Sequence, residues 1–192
     1  VTLLRLEALL REQGGLMAGL LPPSDSSPVR SDPVPSDPAP GTPPNEPQTA
    51  NGHGPAQLAA GGPRVGERAA EYELLIEAIY EGYLLHYGRA RLLRPTEQDL
   101  GLLAGDQLYA LGLARLVALG DLVAVAELAD VITLTALAHG AGDGELAAAI
   151  WQAGAWAVGW GPSAEHEQAK ALARAGAPEA LAAMRSLPNR YS

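Results

Sequence analysis

Residues 99–119 read DLGLLAGDQLYALGLARLVAL, and residues 121–140 follow after a single glycine as DLVAVAELADVITLTALAHG. In the first stretch only Asp99, Asp106, Gln107 and Arg115 are strongly polar; the rest is Leu, Ala, Gly, Val and one Tyr. Neither stretch alternates with period two or carries β-branched runs bounded by turns, so both are helices. A helix that is apolar around most of its circumference must be covered on most sides. A domain of this size has room for one or two such helices inside. An apolar face left over on residues 99–119 therefore calls for another subunit. Gly101, Gly105 and Gly112, with Ala104 and Ala114, let neighbouring backbones approach closely, which points to a bundle that oligomerises through its central helices.

Outward from this pair the helical period continues. A helix is predicted over residues 67–87, ending at Gly88, and a loop carrying Arg89, Arg91 and Arg94 leads to Pro95. Thr96 is placed as N-cap of the next helix, with Asp99 as its capping-box acid. Asp121 caps a third helix over 122–139 and Asp143 a fourth ending at Trp160. Gly161-Pro162-Ser163 opens a fifth over 164–175, and Pro178 sits at the first position of a short last helix. The fold class is all-α, a helical bundle over residues 64–192.

Composition divides the chain. Twelve of the 16 prolines fall between Pro22 and Pro63, and all nine aromatics fall from Tyr72 onward. A proline-rich segment without aromatics buries too little apolar surface to offset the entropy of ordering, so residues 22–63 read as a disordered Pro/Gly/Ser-rich linker. Residues 1–21 form a short amphipathic N-terminal helix with Leu3, Leu6 and Leu10 on one face and Gly14-Gly15 as its stop. That helix either docks into a partner's groove or packs back on its own domain.

Several functions fall away. There is no cysteine, hence no thiolate nucleophile, disulfide framework or Cys-based zinc site. A formal net charge of −9 with one lysine, Lys170, opposes nucleic-acid binding. No uninterrupted apolar run reaches the ~20 residues of a membrane span. The N-terminus lacks the basic region and continuous apolar core of a signal peptide. The expectation is a soluble cytoplasmic protein without a membrane span. Glu73, Glu77 and Glu81 lie at i, i+4, i+8 and read as a solvated face rather than a metal site. His166 lacks a second histidine at i+4 for a zinc site, and Ser163 lacks a visible base and acid. Asp106 reads as a buried acid paired with an arginine such as Arg115. Trp156 and Trp160 share a face; Trp151 points elsewhere.

The segment LLAGDQLYALGLARL (102–116) resembles the helix of trans-isoprenyl diphosphate synthases in which a stretch of the form L-A-G-D-x-L follows the first aspartate-rich motif. The continuation GDLVAVAELADVI (120–132) is similar to the small non-catalytic subunit of heteromeric heptaprenyl-type diphosphate synthases. The resemblance covers about residues 72–139 and implies part of the isoprenoid-synthase bundle. Family members hold Mg²⁺ through two Asp-rich motifs, because hard divalent cations need several carboxylate oxygens. Here His86 stands where the first motif begins, but Tyr87 and Gly88 replace its aspartates. After the fourth helix no adjacent acid pair appears. The resemblance thus implies a chain that binds no cofactor alone and is not catalytic alone, with Mg²⁺ on a catalytic synthase subunit as partner. It also implies a weak diphosphate-binding set of His86, Arg89, Arg91 and Arg94, and an interface of Gly101, Leu102, Gly105, Asp106, Tyr109, Leu113 and Leu116. The alternative is a self-associating all-α adaptor, its own partner, with a tethered N-terminal docking helix.

Overall fold

A computed structural model describes residues 2–23 and 54–187. The described residues contain helices and no strand: α1 (Thr2–Gln13), α2 (Gly15–Gly19), α3 (Pro55–Ala60), a 3₁₀ turn (Gly66–Arg68), α4 (Ala69–Tyr87), α5 (Gln98–Ala118), α6 (Leu122–Gly140), α7 (Gly144–Trp160), α8 (Ala164–Arg174) and α9 (Ala180–Ser186). The all-α bundle is as expected.

The helix starts follow local chemistry. Asp121 accepts from the Ala124 N–H, Asp143 from Leu146 N–H and Ser163 from His166 N–H, each satisfying a donor that the first turn leaves unpaired. The expected Thr96 cap is not used: α5 starts after an extended Glu97 that makes no side-chain cap. Pro178 lies in the turn before α9, not at its first position.

The main core gathers on Trp151, fully buried in α7, with Tyr80 and Tyr83 of α4 packed edge-on against it at 5.0 and 5.4 Å. Ile76 and Ile79 (α4), Leu116 (α5), Leu128 and Val131 (α6) and Ile150 (α7) close around it. The most extensive pairings are α4 with α5 and α6 with α7. Both depend on missing side chains. A Cβ on Gly112 would stand 2.4 Å from Ile79 Cγ1, and one on Gly154 2.1 Å from Val131 Cγ2.

Two sequence expectations are corrected. Residues 54–63, placed in the linker, belong to the folded body: α3 packs on α4 and α7, with Ala56 and Ala59 fully buried. A Cβ on Gly62 would lie 2.2 Å from the Gly159 carbonyl, and Arg64 N–H donates to that oxygen at 2.9 Å. Residues 24–53 of the linker lie outside the described residues. Glu73, Glu77 and Glu81 are not a solvated face either, because Glu77 is 3% exposed and Glu81 fully buried. Between the open alternatives for the N-terminal helix, the structure shows α1 packed back on α4, with Leu6 and Leu10 buried.

Candidate functional site

Among the described residues the exposed large apolar side chains, Leu4 of α1 apart, gather on two neighbouring helices. On α5, Leu103 is 56% and Val117 51% exposed; on α6, Leu122 is 66% and Leu137 51%. Along α5, exposed Leu103, Gln107, Ala110, Ala114 and Val117 recur at alternating steps of four and three, one straight seam facing out. On α6 the matching outer seam is Leu122, Ala126, Ala129, Thr133 and Ala136. Both helices have the length and apolar composition to cross a bilayer, with mean hydropathy 1.2 and 1.6, a test that core helices of soluble bundles also pass.

The residues expected at an interface divide between the two sides of α5. Gly101, Gly105 and Leu116 are buried inside this chain, Gly101 beside Pro95 and Gly105 beside Gly82 of α4. Tyr109 and Leu113 are half-buried against the main core. Leu102 and Asp106 face out. Asp106 is thus not a buried acid held by Arg115: its side chain is 70% exposed, and its carboxylate lies 3.1 Å from His86 Nε2.

Around His86 the C-terminal ends of α4 and α6 and the middle of α5 build an aromatic stack. His86 lies parallel to Tyr109 with centroids 5.3 Å apart, and Tyr87 parallel to His139 at 4.3 Å. The Tyr83 hydroxyl is 2.9 Å from His139 Nε2. Burial pushes the His139 imidazole below its ordinary range and the Tyr83 phenol up to about 12, so both groups favour their neutral forms. Burial, with Tyr87, Tyr83 and Asp106 nearby, also raises the Tyr109 phenol.

The three arginines of the 88–95 loop play different parts. Arg91 turns inward, its guanidinium 2.7 Å from Glu77 and 3.4 Å from Glu81 and stacked over Tyr80 at 4.9 Å. Burial raises the Glu77 carboxyl, and the Arg91 charge opposes that shift. Glu81 also accepts from Leu92 and Leu93 N–H at 2.6 and 3.2 Å, so this buried carboxylate shapes the loop. Arg94 donates to the Ala90, Arg91 and Leu93 carbonyls. Arg89 is exposed.

A second polar cluster was outside the sequence reading. Glu127 of α6, 4% exposed, meets His166 Nε2 at 2.8 Å and Lys170 Nζ at 3.0 Å, both on α8. Lys170 also pairs with Asp130 at 2.9 Å and Glu167 at 2.6 Å. Burial disfavours its charge, but the three carboxylates outweigh that and raise its pKa. The available signal was the i, i+4 spacing of His166 and Lys170 beside an isolated acid in an apolar helix. His166 also forms one wall of a cavity of about 190 Å³ with Trp156, Trp160 and Ser163. The two indoles stack there at 3.9 Å. Among the described residues no group of three or more His, Asp or Glu is arranged to hold a metal ion.

Compared with protein-family models, curated proteins and solved structures, the chain matches none. The described residues form an all-α bundle with an exposed apolar face on two adjacent helices.

Proposed function

We propose that this chain is the non-catalytic subunit of a heteromeric polyprenyl diphosphate synthase, bound to a catalytic subunit through the outer face of α5 and α6. The observation that carries the reading is the L-A-G-D stretch (103–106) lying in the first half of α5, whose outer seam is largely apolar and exposed. Supporting it, Tyr87, at the position of a metal-ligating aspartate in the resembled family, stacks on His139. Mg²⁺ and the allylic diphosphate would then be held by the partner. This chain would complete the helical interface and shape one wall of the elongation cavity, limiting product length. Of the arginines, exposed Arg89 is the one placed to reach across such an interface, since Arg91 is committed to Glu77 and Glu81.

The test is co-expression with a synthase from the same genome that carries both Asp-rich motifs. The expected result is a stable complex whose prenyl product differs in length from that of the synthase alone. No complex and an unchanged product overturn the reading. A self-associating all-α adaptor is favoured by the same uncovered face, and light scattering on the isolated chain reads it directly. The docking helix of that alternative is already occupied, because Leu6 and Leu10 of α1 lie in the chain's own core.

A further inference from the structure

Residues 2–23 form a unit of their own. Gly14 and Gly15 both take positive φ, 69° and 61°, which reverses the chain between α1 and α2. Arg11 closes the reversal, pairing with Glu7 at 2.6 Å and donating to the Pro22 carbonyl at 2.7 Å. The unit presents Leu6, Leu10, Met17, Leu20 and Leu21 to a groove made by Leu74 and Ala78 of α4, Ala104 and Leu108 of α5, and Leu92 and Leu93 of the loop between them. These residues make a hydrophobic cluster separate from the one around Trp151.

The groove is held from the body side. Its floor residues Leu92 and Leu93 are fixed by Glu81 through their N–H groups, and Glu81 is braced by Arg91. The unit's polar ties to the body lie at its two ends: Thr2 hydroxyl to Glu73 at 2.5 Å, Arg5 to the Ala70 carbonyl at 3.2 Å, and Arg94 N–H to the Leu20 carbonyl at 2.9 Å.

Residues 24–53 join the unit to α3. Thirty residues span up to roughly 100 Å when extended, against a diameter of roughly 40 Å for a domain of this size. Chain length alone therefore does not dictate which copy's unit fills a given groove.

We propose that the α4–α5 groove is a helix-acceptor site specific for a leucine-faced helix, filled in cis by the chain's own residues 2–23 and open to the same unit of a second copy. Covalent attachment gives the cis unit an effective concentration in the millimolar range. Isolated chains at micromolar concentration thus close on themselves, and exchange between copies begins where copies are held together.

The experiment places a protease site between residues 24 and 53 of the full chain and cuts it. Native mass spectrometry is then run on the cut protein alone and on a mixture of ¹⁵N-labelled and unlabelled cut protein. The expected result is a cut complex that stays together at micromolar concentration and forms mixed-label hybrids within hours. Separation on cutting overturns the acceptor site; persistence with no hybrids after a day overturns exchange between copies. Leu6→Asp with Leu10→Asp should release the unit from the cut protein. Should that chain fail to fold, Leu6→Ala should weaken retention at least about tenfold. Undiminished retention in whichever variant folds also overturns the proposal.

Discussion

Gly82 of α4 and Gly105 of α5 meet backbone to backbone: a Cβ on Gly82 would lie 2.9 Å from the Gly105 carbonyl oxygen, and one on Gly105 3.0 Å from that of Gly82. The second Cβ would also lie 2.6 Å from His86 Nε2. The crossing that brings His86 beside Asp106 and Tyr109 exists because both side chains are missing.

Gly105→Ala should therefore destabilise the protein. The alanine gains about 1 kcal/mol in helix propensity, but displacing the His86 ring and easing the helices apart at the Gly82 carbonyl costs about 1–3 kcal/mol. We expect a net loss of up to about 2 kcal/mol by urea denaturation, with reduced near-ultraviolet ellipticity from Tyr109. Gly140→Ala, where nothing lies within 4 Å, should leave stability unchanged or slightly raised.

Arg91 and Arg89 should separate sharply. Arg91→Ala leaves Glu77 and Glu81 without their counter-charge at 3% and 0% exposure, and breaking such a buried pair costs about 3–5 kcal/mol. Arg89→Ala, on the surface, should stay within about 0.5 kcal/mol of the parent. Equal effects in denaturation would contradict the inward placement of Arg91.

Acid should weaken the fold in part through Asp121. Burial alone would raise its carboxyl, but Arg64, the Tyr72 hydroxyl and the Ala124 N–H outweigh that and bring it from 3.8 down to about 2. A folded-state pKa below the unfolded one stabilises above the unfolded value, and that stability is lost as pH falls through the folded value. Roughly 2 kcal/mol should thus disappear between pH 4 and pH 2. Glu127 and Asp130, also lowered, add in the same direction. Asp121→Asn keeps an N-cap but not the ion pair. It should be less stable at neutral pH and show a shallower acid loss in denaturant titrations from pH 5 to 2.

The outer face of α5 and α6 should tolerate charge as a monomer. Leu103→Glu and Leu122→Glu, both more than half exposed, should leave the denaturation midpoint within about 0.5 kcal/mol of the parent while abolishing association in light scattering or pull-down with a synthase. A destabilised but still associating variant would place the interface elsewhere.

Much of the bundle was legible because its signals are local. Asp121, Asp143 and Ser163 each act on a backbone N–H three residues on, a relation that spacing alone reveals. The six residues of α3 carry no such signal; their helicity comes from Ala56 and Ala59 being enclosed by α4 and α7. Spacing put Glu77 and Glu81 on one helix face but did not say that Arg91 and the loop behind it cover that face. The glycines of α5 were read as sites of close approach to another subunit; in this chain Gly105 and Gly112 face α4, and Gly101 abuts Pro95. The apolar outer seam was legible, since a helix so apolar on all sides outruns what one small core can cover.

The seam between Gly62 and Gly159 bears on how the molecule is made. Arg64 reaches the Val158 carbonyl across 94 residues of sequence, and α3 sits between α4 and α7. As the chain leaves the ribosome, α3 and α4 emerge well before α7, which forms one wall of their enclosure. The side of Ala56 and Ala59 that α7 covers stays open until α7 follows, so the nascent chain holds part of its core open through the synthesis of α4, α5 and α6.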